Sequence, residues 1–221
     1  MNAPLLKLEA IIFDFDGTMA ILNIDFAYMR ARVMEHLYSY DIESHGIEHL
    51  YILELIIKAR DLLAERHPGT EARYYDEAMH LIQTIEMDAA REGRLIESTE
   101  AMLQTLRGRG IKTGVVTRNC REALECVFPG VYKATDVVLS RDHIERVKPD
   151  KEHLLHALRS LGAHAGCAAM VGDHPMDMIL ARSVGTKAIG VLTGSSGKDA
   201  LISSGADMVF EKAADLMPYL I

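Results

Sequence analysis

An open α/β sheet with helices on both faces and an inserted all-helical domain is the architecture this sequence predicts. Three observations carry that prediction. A short apolar run of β character, Ala10 to Phe15 (AIIFDF), stops at the turn residues Asp16-Gly17-Thr18. The stretch from Ile24 to Glu92 reads as amphipathic helix and needs no strand. From Gly93 onward helical and strand patterns alternate, and strands separated by helices pair in parallel through crossovers.

The first run is continuously apolar up to its carboxylates, as expected of a parallel strand buried on both faces, so Asp14 and Asp16 fall at its carboxyl end. The segments IDFAYMRARVMEHLYSY, IEHLYILELIIKARDLLAERH and TEARYYDEAMHLIQTIEMDAAREG follow as helices, each with apolar residues at helical spacing. Beyond Gly93, STEAMLQTLRGRG gives a helix ended by glycine, IKTGVVT a strand, NCREALECVF a short helix and ATDVVLS a strand. DKEHLLHALRSLG is a helix, CAAMVGD a strand, PMDMILARSVG a helix with Pro175 in its first turn, and TKAIGVL a strand. KDALISSG, ADMVF and EKAADLMPYL supply a last helix, strand and helix. Together these make a Rossmann-like parallel sheet core of residues 1–19 and 93–221, interrupted after its first strand by a helical domain of residues 20–92. The two crossings between them are expected to act as hinges for a lid.

A chain of 221 residues is long enough for one core with a smaller insertion. Apolar residues at 49% and charged residues at 25% are the balance of a globular protein and exclude a disordered one. A net charge of -8 argues against a nucleic-acid partner, whose phosphates need a basic face. Small anions held by a local cation or a metal stay open. Cys120, Cys126 and Cys167 form no CxxC pair and are expected to be ordinary thiols. Lys7 and Glu9 break the apolar N-terminal stretch, so neither a secretory segment nor a membrane span is expected, and the expected location is a reducing cytoplasm.

In open α/β sheets ligands bind beyond the carboxyl ends of the strands. There the sequence places Asp14 and Asp16, Thr117 after IKTGVVT, Lys148 in the loop after DVVLS, and Asp173 with Asp177 after CAAMVG. These types suit phosphoryl transfer, which needs a nucleophile, cations to absorb charge, and a proton for the leaving oxygen. Asp14 is the candidate nucleophile and Asp16 the candidate general acid and base. Asp14, the backbone carbonyl of Asp16, and Asp173 make a hard oxygen site suited to Mg²⁺, with Asp177 holding a metal-bound water. Lys148 offers a point charge, the Thr117 hydroxyl a donor to a phosphoryl oxygen, and Gly17 close backbone approach to phosphate. Arg118, next to Thr117, is a further phosphate-binding candidate, whereas His174 has no partner at ligand spacing and is left unassigned. Asp173 and Asp177 could equally cap and charge the start of the following helix.

These residues resemble the haloacid dehalogenase superfamily over almost the whole chain. Asp14-Phe15-Asp16-Gly17-Thr18 is similar to its first motif, Thr117 to the second, Lys148-Pro149 to the third, and Gly172-Asp173-His174-Pro175-Met176-Asp177 to the fourth. The resemblance implies a Mg²⁺-dependent phosphatase working through an aspartyl-phosphate, with the insertion as a helical cap that selects substrates. Together with Val191-Leu192-Thr193-Gly194, the pattern looks most like phosphoglycolate phosphatases, although Asp150-Lys151 stands where those relatives often carry a second proline.

The expected substrate is a small phosphorylated metabolite, phosphoglycolate first. A β-phosphoglucomutase-like phosphotransferase, a pyrophosphatase or nucleotidase, and a non-catalytic binding module on the same fold are the alternatives. A dehalogenase is disfavoured because Asp16 supplies a second carboxylate that such enzymes lack. In the insertion, the turn Arg66-His67-Pro68-Gly69-Thr70 is a candidate specificity loop, while Arg30, Arg32 and Arg73 are read as solvated helix positions. The chain is expected to be a monomer or a homodimer.

Overall fold

The structure, a computed structural model, describes residues 6–43 and 46–221. It divides into two compact units, one comprising the chain up to Leu22 with Ala90–Ile221, the other Asn23–Ala89.

The first unit is built on a six-stranded sheet. Strand β1 (Ala10–Phe13) lies at its centre, paired in parallel with β4 (Lys112–Val116) and β6 (Ala168–Gly172). Beyond β4 comes β5 (Val137–Leu139), and beyond β6 come β7 (Lys187–Val191) and β8 (Met208–Phe210), all parallel. The register sets Phe13 beside Val115 and Val171, so the central strands end abreast and deliver the residues that follow to one edge. Every residue of β1 and β6 is buried, which is why their sequences are apolar without alternation.

Helices α4 (Thr99–Gly108), α5 (Arg121–Val127), α7 (Lys151–Leu161), α8 (Pro175–Val184) and α9 (Lys198–Ser203) connect the strands. Their ends follow local chemistry. The Asp150 carboxylate caps α7 by accepting from the Glu152 amide, and Gly162 closes it at a φ of 59° that costs a glycine little. One face of α7 buries His153, Leu154, Ala157, Leu158 and Leu161, the first being the single polar member of that stripe.

Four local features differ from the sequence reading. β1 stops at Phe13, not Phe15, because the Phe15 carbonyl turns to accept from the amides of Thr18, Met19 and Ala20. A short helix, α6 (Val131–Ala134), follows the Pro129-Gly130 turn. A two-stranded antiparallel ribbon, β2 (Ala20–Ile21) with β3 (Arg94–Leu95), flanks the inserted segment; pairs this short leave no periodicity to read. The last segment, Ala213–Tyr219, is 3₁₀ and contains Pro218, whose missing N–H bars an ordinary helical turn.

The second unit is helical, as its sequence demands. α1 (Phe26–Tyr38) begins at Asp25, whose carboxylate accepts from the Tyr28 amide. α2 (Ile52–Arg66) starts later than the apolar pattern suggests, since residues 47–50 form turns. α3 (Glu71–Glu92) completes the set. Val33, Leu37, Leu55, Ile56, Ala59, Leu63, Tyr74, Ala78 and Ile82 are fully or almost fully buried. Arg32 pairs with Glu35 on its own helix, and Arg73 is largely exposed beside Tyr40 and Glu77, as expected of solvated positions. Among the described residues no helix is long and apolar enough to cross a membrane.

Candidate active site

At the carboxyl edge of the sheet the structure gathers four charged side chains from three strand ends. The amide of Asp14 still bonds the Val171 carbonyl at 2.8 Å, so this residue is fixed to the sheet although the strand has ended. Its Oδ1 accepts from the Phe15 amide at 2.7 Å and lies 2.6 Å from the Lys148 ammonium. Lys148 also meets Asp177 Oδ1 at 2.7 Å. Asp14, Asp173 and Asp177 each offer a carboxylate oxygen within 4.8 Å of the others, and all three are buried.

This set fits Mg²⁺ on its own chemistry. Its donors are all hard oxygens, and its charge exceeds what one ammonium can balance. Gly17, at a φ of 79°, approaches Asp173 so closely that a Cβ there would lie 2.6 Å from the carboxylate. Gly194, after β7, approaches the same carboxylate from another side and has no space for a side chain. The Thr193 hydroxyl donates to the Gly17 carbonyl at 2.5 Å, tying the two loops together.

The electrostatics follow from the crowding. Burial, with repulsion from Asp177 and Asp173, pushes the Asp14 carboxyl up to about 8 against the opposing pull of Lys148. Burial and repulsion from Asp177 and Asp16 push Asp173 up to about 7. Burial pulls the Lys148 ammonium down, but Asp14 and Asp177 more than offset it and hold it above the ordinary lysine range.

Each of the other anticipated residues has a definite place. The Asp16 carboxylate accepts from the Leu22 amide at 2.9 Å and is near enough to raise Asp173, but it is not one of the three clustered carboxylates. Thr117 is fully buried at the end of β4, its hydroxyl donating to Asn119 Oδ1 at 2.8 Å. The Arg118 guanidinium donates to the Lys148 carbonyl. His174, not Asp173, caps α8: its Nδ1 accepts from the Met176 amide, while Asp177 Oδ2 accepts from the His174 amide at 3.2 Å. Asp177 therefore serves the helix start with one oxygen and Lys148 with the other.

The sequence reading passed over His153 and noted Thr193 and Gly194 only as part of a pattern. His153 carried the clearest signal, a histidine on an otherwise apolar helix stripe. It is fully buried, accepts from the Lys148 amide at Nδ1 (3.1 Å) and faces the Leu139 carbonyl with Nε2 (3.0 Å). The first contact requires an acceptor at Nδ1, so the single proton of the neutral ring sits on Nε2 and is donated to Leu139.

Burial lowers His153 to about 3. Because the folded value lies below the unfolded one, the folded state takes up fewer protons as the medium acidifies. The residue's contribution to stability is therefore complete above about pH 6.5 and is lost as pH falls towards 3. At pH 5 the loss is about 2 kcal/mol. Thermal melts of wild type and His153→Asn between pH 7.5 and 5 should converge by that amount; parallel curves would contradict a buried neutral ring.

The chain is 26% identical over 215 residues to pyrophosphatase PpaX of Bacillus pumilus, covering 95% of each. A hydrolase from Pseudomonas syringae superposes with a TM-score of 0.71 at 20% identity, over 95% of this chain and 96% of that one. A predicted phosphoglycolate phosphatase from Haemophilus somnus 129PT superposes with a TM-score of 0.66 at 19% identity, over 96% and 97%. Residues 11–191, which include Asp14, Thr117, Lys148, Asp173 and Asp177, match the haloacid dehalogenase-like hydrolase family, and the chain belongs to that family.

Proposed function

We propose that the protein is a Mg²⁺-dependent phosphatase that hydrolyses a small phosphate ester, phosphoglycolate first, through an aspartyl-phosphate on Asp14. The observation that carries this reading is Asp14 held 2.6 Å from a buried lysine and clustered with Asp173 and Asp177 at the carboxyl edge of a parallel sheet.

Asp14 Oδ attacks phosphorus while the bond to the leaving oxygen breaks. Lys148 offsets the negative charge that nucleophile and phosphoryl group bring together. The Thr117 hydroxyl donates to a phosphoryl oxygen in place of Asn119, and Asp16 protonates the leaving oxygen. Asp16 then takes a proton from water as that water attacks phosphorus, releasing phosphate and regenerating the Asp14 carboxylate. Bound Mg²⁺, held by Asp14, Asp173 and the Asp16 carbonyl with Asp177 behind, would supply positive charge to the nucleophile and the phosphoryl oxygens. The helical segment 20–92 is the cap that sets substrate preference.

Inorganic pyrophosphate is a second reading, favoured by the relative named pyrophosphatase PpaX. Phosphate release from phosphoglycolate, pyrophosphate, sugar phosphates and nucleoside monophosphates, each with Mg²⁺ and with chelator, tests both. Metal-dependent release with phosphoglycolate foremost supports the first reading, and pyrophosphate foremost supports the second. Glucose 1-phosphate converted to an isomer without phosphate release would indicate a mutase and overturn both.

A further inference from the structure

Lys148 has to place its ammonium between two carboxylates, yet it sits in a loop between β5 and α7. A long flexible side chain keeps such a position only if its backbone is fixed. Here both polar groups of that backbone are held by side chains. The amide donates to His153 Nδ1 at 3.1 Å, and the carbonyl accepts from the Arg118 guanidinium. The other side of the imidazole donates to the Leu139 carbonyl at 3.0 Å, which also accepts from the Thr117 amide at 3.0 Å. One ring thus joins the lysine loop to the end of β5, whose last carbonyl also holds the Thr117 amide at the end of β4. Residue 149 is proline and has no amide of its own, so the Lys148 amide is the tether available at this point of the chain.

We propose that His153 is a positioning residue for phosphoryl transfer, fixing the Lys148 backbone against the end of β5 so that the ammonium stays seated between Asp14 and Asp177. The inference rests on the phosphatase reading, but it concerns a residue that touches neither substrate nor metal ligands. The alternative is a core histidine that is merely satisfied, with no effect on Lys148.

Two isosteric substitutions separate the bonds. The Asn carboxamide can accept near the position of Nδ1 but cannot reach Leu139, whereas the Gln carboxamide reaches the position of Nε2 and leaves the Lys148 amide without an acceptor. His153→Asn should keep kcat within about threefold, while His153→Gln should lower it by about ten- to a hundredfold, the scale of a small misplacement of a catalytic group. KM should move less than kcat in both. If both variants lose stability alike and keep wild-type kcat, or lose kcat alike, the positioning role is overturned.

Lys148→Ala is the control: a wild type that releases phosphate and an inactive Lys148→Ala establish the background against which His153 is judged. A wild type that releases phosphate from no ester would count against the phosphatase reading instead. Inorganic phosphate binding in the presence of Mg²⁺, measured by calorimetry, then decides the inference, since it needs the ammonium in place but no turnover. Binding weakened by Gln and kept by Asn supports it, and equal binding overturns it.

Discussion

Asp14→Asn should remain folded and lose phosphate release by about a thousandfold or more, the scale on which removal of a covalent nucleophile acts. The substitution keeps the shape of the side chain, and its amide oxygen can still accept from Phe15 and Lys148, which now meet Asp14 Oδ1 at 2.7 and 2.6 Å. What disappears is one ionisable carboxyl from a buried cluster of three. Since burial and carboxylate repulsion hold Asp14 up near 8, its removal relieves a strained site. Melting temperature without Mg²⁺ should not fall, and the rise on adding Mg²⁺ should shrink because a ligand charge is gone. Turnover and melting with and without metal check both halves. Release within about tenfold of wild type would remove Asp14 from the nucleophile role, whereas lost turnover together with lost fold would leave only a structural residue.

The sheet was legible because its central strands are buried on both faces, and continuous runs such as AIIF and AAMVG can hardly be anything else when bounded by turns and helices. The site was legible for a related reason: parallel strands that end abreast bring the residues after Phe13, Val116, Leu139 and Gly172 to one edge, whatever the loops do. That argument locates backbone, not side chains. It put Asp14 and Asp16 side by side but did not foresee that the Asp16 carboxylate also accepts from the Leu22 amide. It offered Arg118 to a phosphate but did not foresee that its guanidinium also donates to the Lys148 carbonyl. His153 acts through hydrogen bonds to Lys148 and Leu139, contacts between residues up to 14 positions apart that no local pattern encodes. Thr193 and Gly194 belong to the same class, since their fit against Gly17 and Asp173 exists only once the first and seventh strands are placed.

Lys148→Met should separate stability from chemistry at the same cluster. Methionine approximates the length of lysine, so packing is largely kept while the one ammonium serving Asp14 and Asp177 is lost. Breaking a buried pair in this way costs about 3–5 kcal/mol when the partner stays charged. Asp14 can limit the penalty by taking a proton, because Lys148 is what now pulls its carboxyl down against burial. Its folded value would then stand still further above the unfolded one, and between the two the folded state binds more protons than the unfolded state. Stability must fall as pH rises through that window, so the variant should melt markedly lower at pH 8 than at pH 6, and more steeply so than wild type. Mg²⁺ should restore part of the melting temperature by lending positive charge to Asp14, Asp173 and Asp177. It should not restore turnover, which we expect to stay at least about a hundredfold down, since the ammonium that offsets charge at Asp14 itself is still missing. Recovery of both by metal would reduce Lys148 to a counter-ion, while recovery of the fold alone would make it a partner in the reaction.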